Sequence, residues 1–467
     1  MSQRPSPVSA LVRVFDYLSV GAVLLSLTIF FTGGFREWMP WGRVSITSWL
    51  RPLIIAAVVI AVRHWLQPRP TLVSRAVDAA VAISRTAEVR AVLPTFLSTR
   101  IGVLLVGLLA VGLFGFRAEA GPPWRLYENE LLNLPARWDT GWYIGIAAEG
   151  YRWQPARMAV QQNIAFFPAY PMLMRYVSLF LAREVMWTGV LIAWAAFLAA
   201  LIYLFRFARD RLGDDTAGAA IALLACYPFA LFFSTAYTEP LFLLTLVGAC
   251  YHFERSELWK AAGWGLVAGL TRPNGCLLSV VLALIAVRPY WPLASVERHW
   301  GALTARLAVA SLPGVGMLIY SAFIYALTGH PFQWAAQNAA WGRVYRGLDT
   351  LFEEQVVMLN QDALYAFAAT QAVDALQLAA VVFHLAAVWP VYRRLGLPYA
   401  AMILVNLVPP LMMGGLLSMG RVTSVLFPAF LWLAAILPVH HRTAWIIGFA
   451  MVQALCASLF FTWRPLF

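Results

Sequence analysis

The stretch Ile101-Gly-Val-Leu-Leu-Val-Gly-Leu-Leu-Ala-Val-Gly-Leu-Phe-Gly-Phe116 lies between Arg100 and Arg117 and carries no polar side chain over sixteen residues. As a helix rising 1.5 Å per residue, with arginines that can snorkel at both ends, it approaches the hydrocarbon thickness of a bilayer, about 30 Å. Outward from it the same pattern recurs about thirteen times, first near 17–33 and last near 443–461. The shortest pair, 257–271 and 274–288, meets at Thr271-Arg-Pro-Asn-Gly275. Across 467 residues 61% are apolar and 12% charged, with mean hydropathy +0.71. Soluble domains carry about 25% charged residues, so a water-soluble globular protein is excluded. The expected fold class is an all-α polytopic membrane protein.

The net charge of +12 comes almost wholly from arginine, since Lys260 is the sole lysine. These arginines are scattered among apolar spans, which reads as orientation charge and argues against nucleic acid as a partner. With the N-terminus inside, cytoplasmic segments hold 19 basic residues. The short outer loops and C-terminal tail hold six: Arg36, Arg43, Arg51, Arg272, Arg421 and Arg464. That excess sets the orientation. Two long loops then face outwards, at about 118–185 and 328–374, both rich in aromatics and long enough to carry function. The chain divides on this reading into 1–100, an N-terminal two-helix addition with a cytoplasmic loop; 101–290, a catalytic module; and 291–467, further spans with the second loop. The N-terminus reads as a retained first span. Cys226, Cys250, Cys276 and Cys456 all sit in apolar segments without metal-ligand spacing.

The most informative loop segment is Ala136-Arg-Trp-Asp-Thr-Gly-Trp-Tyr-Ile-Gly-Ile-Ala-Ala-Glu-Gly-Tyr151. Asp139 is suited to cap a helix starting at Thr140, and Gly150 to end it. Trp142, Tyr143, Ile146 and Ala147 then share a face, the pattern of an amphipathic helix at the membrane interface. Asp139 has two open roles: a helix cap, or a general base taking a proton from an acceptor hydroxyl. One oxygen for each is compatible with both.

Four segments together resemble the PIG-V-type GPI mannosyltransferases and their bacterial relatives. Arg137-Trp-Asp-Thr-Gly-Trp-Tyr…Gly-Tyr151 is similar to their Trp-Asp signature, and Phe166-Phe-Pro-Ala-Tyr-Pro171 to their FFPLYP segment. Tyr237-Thr-Glu-Pro-Leu-Phe242 resembles YTE-(S/A)-LF, departing at Pro240, and Thr271-Arg-Pro-Asn-Gly275 matches (S/T)RPNG. The order is that of the family over 136–275. Beyond it the likeness is loose, through Gln337-Asn-Ala-Ala-Trp-Gly-Arg343 and Gly420-Arg421. The resemblance implies a GT-C-type membrane glycosyltransferase that takes sugar from a polyprenyl phosphate on the non-cytoplasmic side. Its catalytic acid sits in the first outer loop, at the position Asp139 occupies. The site would face the periplasm from a bacterial inner membrane, or the ER lumen in a eukaryote.

Sugar transfer from a lipid phosphate builds negative charge on the leaving phosphate, so fixed cations aimed there lower the barrier. Arg272 and Arg421, at outer ends of apolar spans, are the candidate phosphate ligands; a snorkelling contact with lipid headgroups is the plainer alternative. Arg137, Trp138, Tyr143, Asn163, Glu239, Asn274 and His330 are candidate substrate contacts. Glu239 is equally suited to capping its helix, and a lone His330 to a structural role. The chemistry so read requires no metal, and no other cofactor is expected. The acceptor is a glycan, glycolipid or protein. A transporter or lipid flippase is the alternative from another class, although its ionisable residues would be expected near mid-bilayer. A non-catalytic scaffold would leave the acidic, aromatic outer loops unexplained.

Overall fold

The computed structural model describes residues 7–39, 42–117, 124–290, 300–345, 347 and 371–466. Two compact units emerge: Met1–Arg90 with Leu173–Thr188, and Ala91–Met172 with Gly189–Phe467. In the first, helix α1 (Pro7–Thr32) leads into an antiparallel hairpin of β1 (Phe35–Met39) and β2 (Gly42–Ile46), then α2 (Leu50–Leu66), α3 (Leu72–Ser84) and the start of α4 (Ala87–Phe114). Asp16 of α1 accepts from Arg63 at 2.8 Å and Arg75 at 2.6 Å, tying α1 to α2 and α3.

The second unit contains α5 (Glu130–Asn133), α6 (Thr140–Glu149), the first turn of α7 (Ala169–Ser178), most of α8 (Val185–Leu212), α9 (Asp214–Cys226), α10 (Glu239–Glu254), α11 (Leu258–Thr271) and α12 (Leu278–Val287). After them come α13 (Trp300–Ala310), α14 (Leu312–Thr328), α15 (Gln333–Ala336), α16 (Ala372–Leu395), α17 (Leu397–Gly414), α18 (Met419–Ser424), α19 (Phe427–Ile436) and α20 (Val439–Phe461). Its core is aliphatic and aromatic, with Phe207, Tyr237, Tyr399 and Phe427 buried. Helices α11 and α14 touch backbone to backbone: a Cβ on Gly269 would fall 1.9 Å from the Pro313 carbonyl oxygen. Small residues permit such approach between apolar helices.

Among the described residues seven helices are long and apolar enough to cross a membrane, or up to nine if each bent pair forms one span. The expected count of about thirteen is therefore not matched. Hydropathy counts apolar runs, but several runs do not form one long helix. Helices α10 and α11 have 16 and 14 residues, and the run 421–439 is divided between α18 and α19, with Pro428 opening the latter. After α9 the chain bends by 81° at Pro228, where the ring removes a backbone donor and ends the helix.

Arg100 shows why charge misleads at a helix boundary. It lies inside α4 and is fully buried, donating to the carbonyls of Ala225 (2.9 Å) and Ala230 (2.6 Å) and to Ser234 Oγ (2.9 Å). The bend at Pro228 supplies those acceptors, so a guanidinium survives among apolar helices.

Candidate active site

Local sequence places the key side chains. Trp138 takes a left-handed φ of +53°, an uncommon conformation for a bulky residue that costs about 1–3 kcal/mol. Its indole N–H donates to the Phe460 carbonyl at 3.2 Å, and its ring packs on Trp463 with centroids 5.1 Å apart. Asp139 follows as the residue before α6, yet its side chain makes no capping hydrogen bond. Of the two roles open to it, the cap is not realised. Gly150 does end α6, with φ +86°. Thr140, Tyr143, Ile144, Ile146 and Ala147 of α6 are buried and lie along one side at helical spacing, with Ala148 and Glu149 exposed on the other.

Arg272 precedes Pro273, which disfavours helical backbone; Arg272 is accordingly extended (φ −149°, ψ 155°) and α11 stops there. Gly275 lets the following turn close against α11, since a Cβ there would fall 2.0 Å from the Ala268 carbonyl oxygen. Gly420 does the same beside Arg421, where a Cβ would meet the Phe229 ring at 2.2 Å. Both arginines thus stand next to glycines that admit close packing.

These elements converge. Arg421 donates from Nη1 to Asp139 Oδ2 at 2.6 Å and from Nε to Glu239 Oε1 at 2.8 Å. Arg272 Nη1 reaches the same Glu239 oxygen at 2.6 Å. Glu239 has no exposed side-chain surface, whereas Asp139 and Arg272 keep 19% and 18%. The guanidinium of Arg421 also lies over the rings of Tyr237 (4.8 Å) and Phe232 (5.2 Å). Tyr237 Oη accepts from the Asp139 backbone N–H at 3.2 Å and donates to the Arg137 carbonyl at 3.3 Å, so it holds the loop as well as facing the cation.

Asp139, Tyr143, Arg272, Asn274 and Arg421 line a cavity of about 590 Å³. Its remaining wall is largely apolar and aromatic, including Phe166, Trp334, Trp341, Pro410 and Met413. Both long loops contribute, and they are clamped together. Tyr320 Oη donates to the Ile164 and Phe166 carbonyls at 2.8 and 3.1 Å, and Gln337 donates to the Val160 carbonyl at 2.7 Å. Burial, with Glu239 nearby, raises the Tyr143 phenol well above its ordinary range. It stays protonated, with Oη 3.4 Å from Thr238 Oγ1. Asn274 donates to Asn406 Oδ1 at 2.8 Å.

The other expected contacts lie elsewhere. Arg137 is buried and donates to the carbonyls of Phe461 (2.8 Å) and Asn133 (2.8 Å), so with Trp138 it anchors the loop to α20. Asn163 bridges Arg152 N–H and the Gly150 carbonyl, closing its own loop. His330 is exposed and absent from the cavity wall. Among the described residues no group of three or more His, Cys, Asp or Glu is placed to hold a metal ion. Glu353 and Glu354, a carboxylate pair that would need further oxygen ligands to hold a hard cation, lie outside the described residues. The sequence reading passed over Arg343, which lines the cavity; its one signal was the loose Gln337–Arg343 match. Tyr237 was likewise quoted only as part of a motif.

Residues 124–332 match the family described as Mannosyltransferase (PIG-V). No curated protein matches the chain. Among solved structures, the archaeal oligosaccharyltransferase AglB from Archaeoglobus fulgidus, in complex with an inhibitory peptide and a dolichol-phosphate, overlaps 79% of this chain at 13% identity and TM-score 0.37. The Archaeoglobus fulgidus oligosaccharyltransferase tethered with an acceptor peptide overlaps 78% at 11% identity and TM-score 0.35. The chain spans 55% of the length of each, and so loose a likeness defines neither fold nor ligand. The four motifs between Ala136 and Gly275 all fall inside the segment that matches the Mannosyltransferase (PIG-V) family.

Proposed function

We propose that this chain is an integral-membrane glycosyltransferase that moves a sugar, mannose by the family likeness, from a polyprenyl-phosphate donor to an acceptor hydroxyl. Asp139 takes the proton of that hydroxyl, whose oxygen attacks the anomeric carbon opposite the phosphate and inverts its configuration. The phosphate leaves with the glycosidic bond's electron pair, and Arg272 and Arg421 stabilise its growing charge. Glu239 holds both arginines from behind. The site faces the non-cytoplasmic side, as the arginine distribution suggests.

What carries this reading is the placement of the Asp139 carboxylate at the wall of a mostly apolar cavity, 2.6 Å from Arg421, with Arg272 on the same wall. A base and two cations around a pocket able to hold isoprenoid chain match the needs of the reaction. Purified Asp139→Asn is expected to remain folded and to lose transfer from polyprenyl-phosphate mannose by about 10²–10⁴-fold. Near-normal turnover by that variant removes Asp139 from the chemistry.

A further inference from the structure

We infer that Arg343, contributed by the second long loop, is the principal anchor of the donor's phosphate on binding, alongside the charge stabilisation that Arg272 and Arg421 supply. The inference rests on the transferase reading above and assigns its anion subsite. Three guanidinium groups, Arg272, Arg343 and Arg421, line the cavity. Two are already engaged by carboxylates: Arg421 by Asp139 and Glu239, Arg272 by Glu239. Arg343 has no carboxylate partner among the described residues. Its hydrogen bond to protein is a long one, Nη2 to the Leu417 carbonyl at 3.4 Å.

Local structure aims it inwards. A 3-10 turn over Gln337–Trp341 ends at Gly342 with φ +75°, a conformation suited to glycine, and the chain turns so that Arg343 N–H donates to the Asn338 carbonyl at 3.2 Å. The stem then runs along Gly414, where an added Cβ would already lie 3.4 Å from Arg343 Cγ. Burial, then repulsion from Arg421 and Arg272, lowers the Arg343 guanidinium to about 10, with Asp139 opposing the shift. It remains charged at neutral pH, but as a cation beside two others in a confined space. A phosphate monoester placed among the three supplies the missing counter-charge. Arg343 can grip it with two parallel hydrogen bonds without first giving up a carboxylate.

The cavity's signs support the same assignment. Three arginines face two carboxylates, a surplus of one positive charge that an anion of the donor would neutralise. The apolar wall beside it, Pro409, Pro410, Met413 and Leu417, fits the first isoprene units attached to that phosphate.

Full-length protein in lipid nanodiscs, titrated with labelled geranylgeranyl phosphate and with geranylgeraniol, tests this directly. Arg343→Gln is expected to weaken the phosphate by about tenfold or more, to leave the alcohol within twofold, and to keep the wild-type melting temperature. Arg343→Lys is expected to recover part of the loss. Unchanged phosphate affinity in Arg343→Gln overturns the assignment and leaves the transferase reading standing. A wild-type protein that holds the phosphate no more tightly than the alcohol overturns both.

Discussion

Helix α10 presents a carboxylate at each end, and the two ends differ in kind. At its start, Glu239 is fully buried and receives Arg421 and Arg272 behind the cavity wall. At its other end, about 22 Å along the axis, Glu254 accepts from Tyr399 Oη at 2.6 Å and pairs with Arg211, with 22% of its side chain exposed. Arginines gather at both ends. Around Glu254 they are Arg211, Arg288 and Arg394, at or just past the C-terminal ends of α8, α12 and α16, lining a separate space of about 650 Å³. There each cation complements the negative end of its own helix. Around Glu239 the arginines come from unrelated elements, and one is shared with a second carboxylate that faces an apolar cavity. Convergent arginine is common to both ends; full burial and a carboxylate at a cavity wall distinguish the Glu239 end.

Removing the buried end should cost most. Glu239→Ala leaves two guanidinium groups without their shared partner, and breaking such a buried pair costs about 3–5 kcal/mol. Thermal unfolding in detergent should show a large loss of stability, and a melting temperature equal to wild type would mean that Glu239 does not hold the site together. Tyr237→Phe is a finer cut. It deletes the hydroxyl between the Asp139 N–H and the Arg137 carbonyl, worth about 0.5–1.5 kcal/mol. Transfer should fall more than stability does; equal effects on both would make Tyr237 merely structural. Glu254→Gln should change stability least, by about 0–1 kcal/mol, as expected of a part-exposed pair, with transfer unaffected. A loss of transfer comparable to that of Glu239→Ala would erase the distinction between the two ends.

Much of the site was legible before any coordinates. Arg272 before Pro273 reads as a chain break with a cation, and the break is there. Trp138-Asp139 ahead of a short helix ending at Gly150 reads correctly as an element, because the glycine stop is local, although the Asp139 side chain does not cap it. Arg137 and Asn163, expected as substrate contacts from their place within or beside the motifs, bond to backbone groups of their own loop and of α20. A motif marks residues that must stay together and does not separate those holding a loop from those facing a cavity. Arg343 was missed for the opposite reason. Its neighbours in sequence are unremarked aromatics, and its importance comes from Gly414 and from two arginines remote in the chain.

Composition and the periodic apolar runs were enough to establish a helical membrane protein, and four ordered motifs its likeness to the matched family over 124–332, since hydrophobic burial and short-range turn chemistry depend on neighbours in the chain. Which charges meet was decided only in three dimensions. Arg272 and Glu239 lie 33 positions apart and Arg421 and Asp139 lie 282 apart. Pairing over such distances depends on how broken helices and glycine contacts bring their ends together, and no local pattern encodes it.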